Sequence, residues 1–209
     1  MRAVTKVITP PAFEPVTLDE AKLWCRIDDD STAEDADLLW LIQAMREDAE
    51  NRTGRAFVRR TLRLYLDDWP WDRQYGVKIV LPYAPLLQVG SPPVAVESFK
   101  YIDTDGVLQT LAADQYVVHD EYEPGFIIPE WEETWPTIRR VPDAIQITHY
   151  AGYANANAIP KSVRQWMQAR IATLFEQREQ LVINGQVAQI PRDHVDGLLD
   201  SLVIGTRLF

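Results

Sequence analysis

The sequence predicts an α+β fold, a small helical bundle carrying a β-rich insertion. Three observations predict it. Helical periodicity fills residues 17–55 and returns after residue 158, apolar–polar alternation starts at Leu62, and Pro- and Gly-marked turns gather between the two helical stretches. The expected division is an N-terminal arm over 1–16, helices over 17–55, a β-rich insertion over 56–150, and C-terminal helices over 151–209 that complete the bundle.

Thr17 followed by Glu20 has the spacing of a capping box and opens the first helix, with Leu18, Ala21, Trp24 and Cys25 on one stripe. Asp28, Asp29 and Asp30 end it, and Ser31 with Glu34 offers a second box. From Ala33 to Thr53 the residues Leu38, Leu41, Ile42, Met45 and Ala49 share a face, and Gly54 is placed to end the helix in the left-handed conformation. In the insertion, Leu62, Leu64 and Leu66 alternate with polar neighbours, and strands are expected at Val77–Leu81, Ala95–Ile102, Val107–Leu111, Tyr116–His119, Gly125–Ile128 and Ala144–Tyr150. Asp103-Thr104-Asp105-Gly106 reads as a hairpin turn. Pro160 opens a helix with Val163, Trp166, Met167, Ile171 and Leu174 at helical spacing. Leu181–Ile190 reads as a linker or arm, and Asp193–Val203 as a last helix with Val195, Leu198, Leu199 and Leu202 on one side.

The chain has 209 residues, 46% of them hydrophobic, which suffices for a core that needs no disulfide or metal. With Cys25 alone, no intramolecular disulfide or Cys-based zinc cluster can form, and a reducing compartment is expected. The net charge of −10 argues against a nucleic-acid groove and against an anionic membrane as partner. The start leads into no apolar segment of a secretory signal, so synthesis in the cytoplasm is expected. Charge is uneven: residues 1–55 carry −5, residues 56–150 carry −6, and residues 151–209 carry +1.

No motif points to catalysis, a cofactor or a metal. The nine glycines are scattered singly, so neither a dinucleotide fingerprint nor a phosphate loop occurs, and Gly-x-Ser-x-Gly is absent. Cys25 falls on an apolar stripe and reads as a buried thiol. His119, His149 and His194 lack a zinc-site partner at ligand spacing, and a calcium loop begun at Asp28 would put Ala33 where glycine is needed. The run Glu130-Trp131-Glu132-Glu133-Thr134-Trp135 places aromatics beside carboxylates, as sugar-binding and glycosidase sites do. A carbohydrate-binding or hydrolytic module built on Trp131, Trp135, Glu130, Glu132 and Glu133 is therefore the alternative class, against an exposed loop whose tryptophans pack on a sheet.

The order of parts resembles a known family. Pro15-Val16-Thr17-Leu18-Asp19-Glu20-Ala21-Lys22, an acidic loop, and a long helix ending Glu50-Asn51-Arg52-Thr53-Gly54-Arg55-Ala56 look like the opening of the tailed-phage head–tail connector (adaptor, or head-completion) proteins. Larger members, including those of prophages and phage-like gene transfer particles, have a β-rich middle. Leu81-Pro82, Tyr101–Gly106, Gln115–Val118, Trp135-Pro136, Ile145–Gly152, Ile159-Pro160 and Phe175–Glu179 continue the resemblance over about residues 15–205. It implies a structural virion protein at the head–tail junction, without catalytic residues or cofactor. About a dozen copies would form a ring between the portal and a stopper or tail component, and DNA would pass through without specific binding. By position, it implies that the segment with Ile190, Arg192, Leu198, Leu199, Leu202, Arg207, Leu208 and Phe209 reaches the portal; a last helix that only closes its own bundle is the other reading. A tail-side structural role would differ in partner alone. An acidic lumen repels phosphates, and Asp28, Asp29 and Asp30 are candidate lining residues beside the acidic β region.

Overall fold

In the computed structural model, residues 2–70, 77–176, 182–183, 186–187 and 193–205 are described. The chain forms two compact units. A β unit takes the N-terminal residues to Ala12, Gly54–Ala154 and the segment from Ile204; a helical unit takes Phe13–Thr53 and Asn155–Val203. The α+β class expected from the sequence is observed.

The β unit contains β1 (Ala3–Thr9), β2 (Arg60–Leu66), β3 (Ile79–Val80), β4 (Val96–Ile102), β5 (Leu108–Thr110), β6 (Tyr116–His119), β7 (Phe126–Pro129) and β8 (Ile145–Ala151). Five of these make one antiparallel sheet in the order β1-β2-β8-β4-β5, and three make a second in the order β3-β7-β6. The period of two in β2 puts Leu62, Leu64 and Leu66 on its buried face, and the register sets Leu64 opposite Thr5 on one side and Ile147 on the other. Leu64, Leu66, Ile79, Phe99, Ile127 and Ile145 form the centre of the core. Its rim is aromatic. Trp69 and Trp135 stack with centroids 4.9 Å apart, Phe99 lies 5.4 Å from Trp135, and each indole N–H is satisfied, by the carbonyls of Pro136 (3.1 Å) and Val77 (3.0 Å).

The hairpin turn forms as its sequence requires. Asp103 Oδ1 accepts the backbone N–H groups of Asp105 and Val107, Oδ2 accepts from Gln109, and Gly106 takes φ 86°. The Gln109 bond and these backbone donors hold the Asp103 carboxyl below its ordinary range.

The N-terminal segment departs from expectation. Residues 3–9 of the expected arm are the edge strand β1, paired along β2. Val4, Thr5, Val7, Ile8 and Thr9 suit an extended backbone, and the register shift between Val7 and Thr9 marks a bulge of the kind that interrupts sheet edges.

The helical unit contains α1 (Leu18–Cys25), α2 (Asp35–Thr53), α3 (Lys161–Glu176) and α4 (Asp193–Asp200). A short hairpin, β9 (Val182–Ile183) with β10 (Gln186–Val187), lies where an arm or linker was expected. Helix α3 packs against α1, α2 and α4. The first capping box is formed on both sides: Thr17 Oγ1 accepts from Glu20 N (3.2 Å) and Glu20 Oε2 accepts from Thr17 N (3.0 Å). The second is not. Ser31 donates its hydroxyl to the Glu34 carboxylate at 2.9 Å, and α2 begins only at Asp35. No described helix is long and apolar enough to cross a membrane.

Candidate functional site

The acidic loop is organised by a buried cation. Lys22 is 4% exposed, while Trp24 from the predicted apolar stripe is 42% exposed. The reason is the loop: Lys22 Nζ donates to the carbonyls of Ser31 (2.7 Å) and Asp29 (3.3 Å) and pairs with Asp35 Oδ1 (2.7 Å). A buried ammonium must be paired, and this one binds three groups that close residues 26–35 around it. The side chains of Asp28, Asp29 and Asp30 stay exposed. Calcium is not needed to fold this loop, because Lys22 supplies its cation.

A second network docks α4. Asp196 Oδ1 accepts from Arg170 (2.6 Å) and from the Trp166 indole (3.0 Å), and Oδ2 from Arg52 (3.3 Å). Arg52 and Arg170 also lie over the Trp166 ring, at 5.6 and 5.7 Å. Burial raises the Asp196 pKa, but the bonds from Arg170 and Trp166 and the two guanidinium charges outweigh it and leave the carboxyl below its ordinary range. Of the leucines expected to face the portal, Leu199 is 3% exposed and Leu198 and Leu202 are half-buried. Leu199 thus packs into its own helical unit, and Leu198 on α4 and Leu202 just after it are the described members of the expected set that keep exposed surface. Ile190, Arg192, Arg207, Leu208 and Phe209 lie outside the described residues.

The tryptophan–carboxylate run is pulled apart rather than brought together. Trp135 is in the aromatic rim with its N–H taken by Val77, whereas Trp131 is 85% exposed at a turn tip. The turn is closed by Glu133 N donating to Glu130 O (3.0 Å) and by Trp131 N donating to Glu130 Oε1 (2.9 Å), with Glu132 at φ 68°. Glu130, Glu132, Glu133 and Thr134 are exposed around it. Two tryptophans with such different surroundings make no sugar platform, which removes the alternative reading's central feature.

His149, His119 and Cys25 serve packing, and the His194 side chain lies outside the described residues. His149 is fully buried; its Nε2–H donates to the Pro82 carbonyl at 3.2 Å, and burial outweighs the Pro82 and Ile147 carbonyls to bring its pKa to about 4. His119 stacks on Phe126 at 4.7 Å and contacts Glu121 at 3.0 Å. Burial and the nearby Glu176 charge push the Cys25 thiol up, the opposite of what a nucleophile needs. Among the described residues no group of three His, Cys, Asp or Glu converges as a metal site.

Residues 15–78 match the family model described as phage gp6-like head-tail connector protein. The chain is similar to the head–tail connectors. Among solved structures, a chain from the neck of an empty gene transfer agent (GTA) particle, computed with C6 symmetry, matches 98% of this chain and 99% of its own length at 22% identity and TM-score 0.73. A chain from the virion of a native GTA particle matches over the same shares at 24% identity and TM-score 0.73. One from the neck of a native GTA particle, computed with C12 symmetry, does so at 23% identity and TM-score 0.66. No curated protein matches significantly. The connector match covers α1, the acidic loop, α2, β2 and the start of the next segment, while the full-length likeness shows the fold of both units.

Proposed function

We propose that the chain is a structural head–tail connector subunit, one copy in a ring of about twelve that joins the portal to a stopper or tail component around a DNA channel. The observation that carries this is the near-complete two-way coverage of neck-particle chains, 98% and 99%, together with the connector family model over residues 15–78. The ring reading is supported by the C6 and C12 symmetry in which those necks were computed. On this reading the protein is not an enzyme, is made in the host cytoplasm and resides in the virion neck.

The charge supports a conduit. A chain of net −10 repels the phosphate backbone, so DNA slides without being held. Asp28, Asp29 and Asp30, exposed around buried Lys22, are proposed as part of the lining, and the half-buried Leu198 and Leu202 with residues 190–192 and 207–209 as the portal-facing segment. Native mass and negative-stain imaging of concentrated protein, alone and with a purified portal, test the assembly. Closed rings with an open centre are expected; a monomer under both conditions would refute the reading. Replacing Asp28, Asp29 and Asp30 by Asn should slow DNA passage with ring formation intact, and an unchanged ejection rate removes those three from the lining.

A further inference from the structure

The exposed Trp131 turn and a groove on the helical unit are complementary in charge. The groove, ≈ 360 Å³, is lined by Trp24 of α1 and by Lys161, Arg164, Gln165 and Gln168 of α3. That volume lies in the range of sites that accept one compact organic group, about 300–1,000 Å³. Lys161, Gln165 and Gln168 follow helical spacing, so an ammonium and two amides line one stripe of α3 beside the exposed indole of Trp24. Arg164 pairs with Glu20, but its Nε is buried without a hydrogen-bond partner among the described residues. Lys161 stands in the first turn of α3, where the helix dipole adds to its own positive charge.

The turn presents the converse. Trp131 is 85% exposed on a turn whose backbone is closed by two hydrogen bonds to Glu130, with Trp135 stacked on Trp69 a few residues on. Glu130, Glu132 and Glu133 surround it with carboxylates. An exposed, isolated tryptophan ringed by polar groups is the anatomy of an interface anchor.

We propose that Trp131 of one copy inserts into the Trp24–Lys161–Gln168 groove of the next copy, its indole against Trp24 and the Arg164 guanidinium and its flanking carboxylates toward Lys161. The occupant is a second copy because both halves of the contact stand on the same chain and differ from each other. A contact between two unlike patches is heterologous, the type that generates rings when the rotation closes. A chain of net −10 also repels its copies, so its self-contact must lie where charge reverses locally, and this groove is such a place. The proposal rests on the ring reading above and names its subunit interface.

The test is photocrosslinking in the assembled ring, with Trp131→benzoylphenylalanine, followed by mass-spectrometric mapping. Crosslinks to α1 or to residues 161–168 of another copy are expected. Rings that form and crosslink elsewhere, or not at all, overturn the interface and leave the ring reading standing; absence of rings from the unmodified protein, alone and on a portal, overturns both. A second arm uses charge. Lys161→Glu should raise the protein concentration needed for assembly by roughly 10-fold or more, and Glu132→Lys with Glu133→Lys on the same chain should restore it. Trp131→Ala should raise it by roughly 30-fold or more while leaving the melting temperature unchanged, since an exposed indole supports no fold. Unaltered assembly of Trp131→Ala would refute the anchor.

Discussion

His149 makes the stability of the β unit depend on pH between its ordinary value of 6.5 and about 4. Its Nε2 faces the Pro82 carbonyl, which can only accept, so the neutral ring carries its proton there; Nδ1 is buried with no hydrogen-bond partner among the described residues. Protonating Nδ1 would place a cation in the core, and burial accordingly brings the folded pKa from 6.5 to about 4. The sign follows. The folded pKa is depressed, so the contribution is complete above the unfolded value of 6.5 and is lost as pH falls through the interval down to about 4. Each pH unit in that interval costs about 1.4 kcal/mol, so about 2 kcal/mol is gone by pH 5 and about 3 kcal/mol by pH 4.

His149→Gln isolates this term. Glutamine can offer an N–H to the same carbonyl and does not titrate, while every other ionisable group is shared and cancels in the difference. Urea unfolding of both proteins at pH 8, 7, 6 and 5 is the assay. The variant starts below the wild type at pH 8, because an amide fits the imidazole site imperfectly. The wild type then loses about 2 kcal/mol relative to the variant by pH 5, and the two stabilities converge or cross. Parallel curves over the whole range would refute the reasoning, since they would mean that the folded protein takes up the proton as readily as the unfolded chain.

Three further outcomes follow from the other networks. Lys22→Met should cost about 3 kcal/mol in urea unfolding and speed hydrogen exchange across residues 26–34, because Asp35 and two carbonyls lose their buried cation. Asp196→Ala removes the acceptor shared by Arg52, Trp166 and Arg170; a loss of about 2 kcal/mol and faster exchange confined to α4 are expected, with α1 unaffected. Gly152 has φ 99° and a Cβ there would fall on the Val58 carbonyl, so Gly152→Ala should cost about 2 kcal/mol or more in thermal melts, whereas Gly205→Ala, with nothing within 4 Å, should be neutral.

What the sequence revealed and what it hid divide along one physical line. Patterns set by neighbours a few residues apart were legible: the Thr17–Glu20 box, the alternation of β2, the Asp103–Gly106 turn and the left-handed Gly54 at φ 69°. Features set by distant partners were not. Lys22 is buried, like Ala21 and Cys25, while Trp24 of the expected apolar stripe is exposed, because the following loop wraps the ammonium and no periodicity records where a loop goes. Trp131 and Trp135, four residues apart in one run, part because the stacking partner of Trp135 is Trp69. Two signals were present but unread: the β-branched run at residues 4–9 that becomes β1, and Asn184-Gly185 between the short strands β9 and β10. Of the candidate site, the exposed Asp28–Asp30 cluster could be named from sequence, but the groove of Trp24 and α3 could not.

The handling of positive charge connects this fold to its proposed task. Lys22, Arg46 and Arg55 are each less than a tenth exposed, and each is held by carboxylates of its own unit: Asp35, the Glu14–Glu50 pair at 2.8 and 3.0 Å, and Glu123 at 2.6 Å. Arg170 and Arg52 converge on Asp196 nearer the surface. Lys22, Arg46 and Arg55 are neutralised in the interior and contribute little to the outer field, so the acidic excess of −10 is expressed at the surface. A protein that encircles DNA needs this arrangement, because an unpaired lysine or arginine facing the lumen would hold a phosphate and slow its passage. The same arrangement makes copies repel, and with screening over about 8–10 Å at physiological salt that repulsion acts chiefly between adjacent subunits. Association then has to come from apolar anchors and local charge reversals. Those are the features that the exposed Trp131 turn and the Lys161 groove supply.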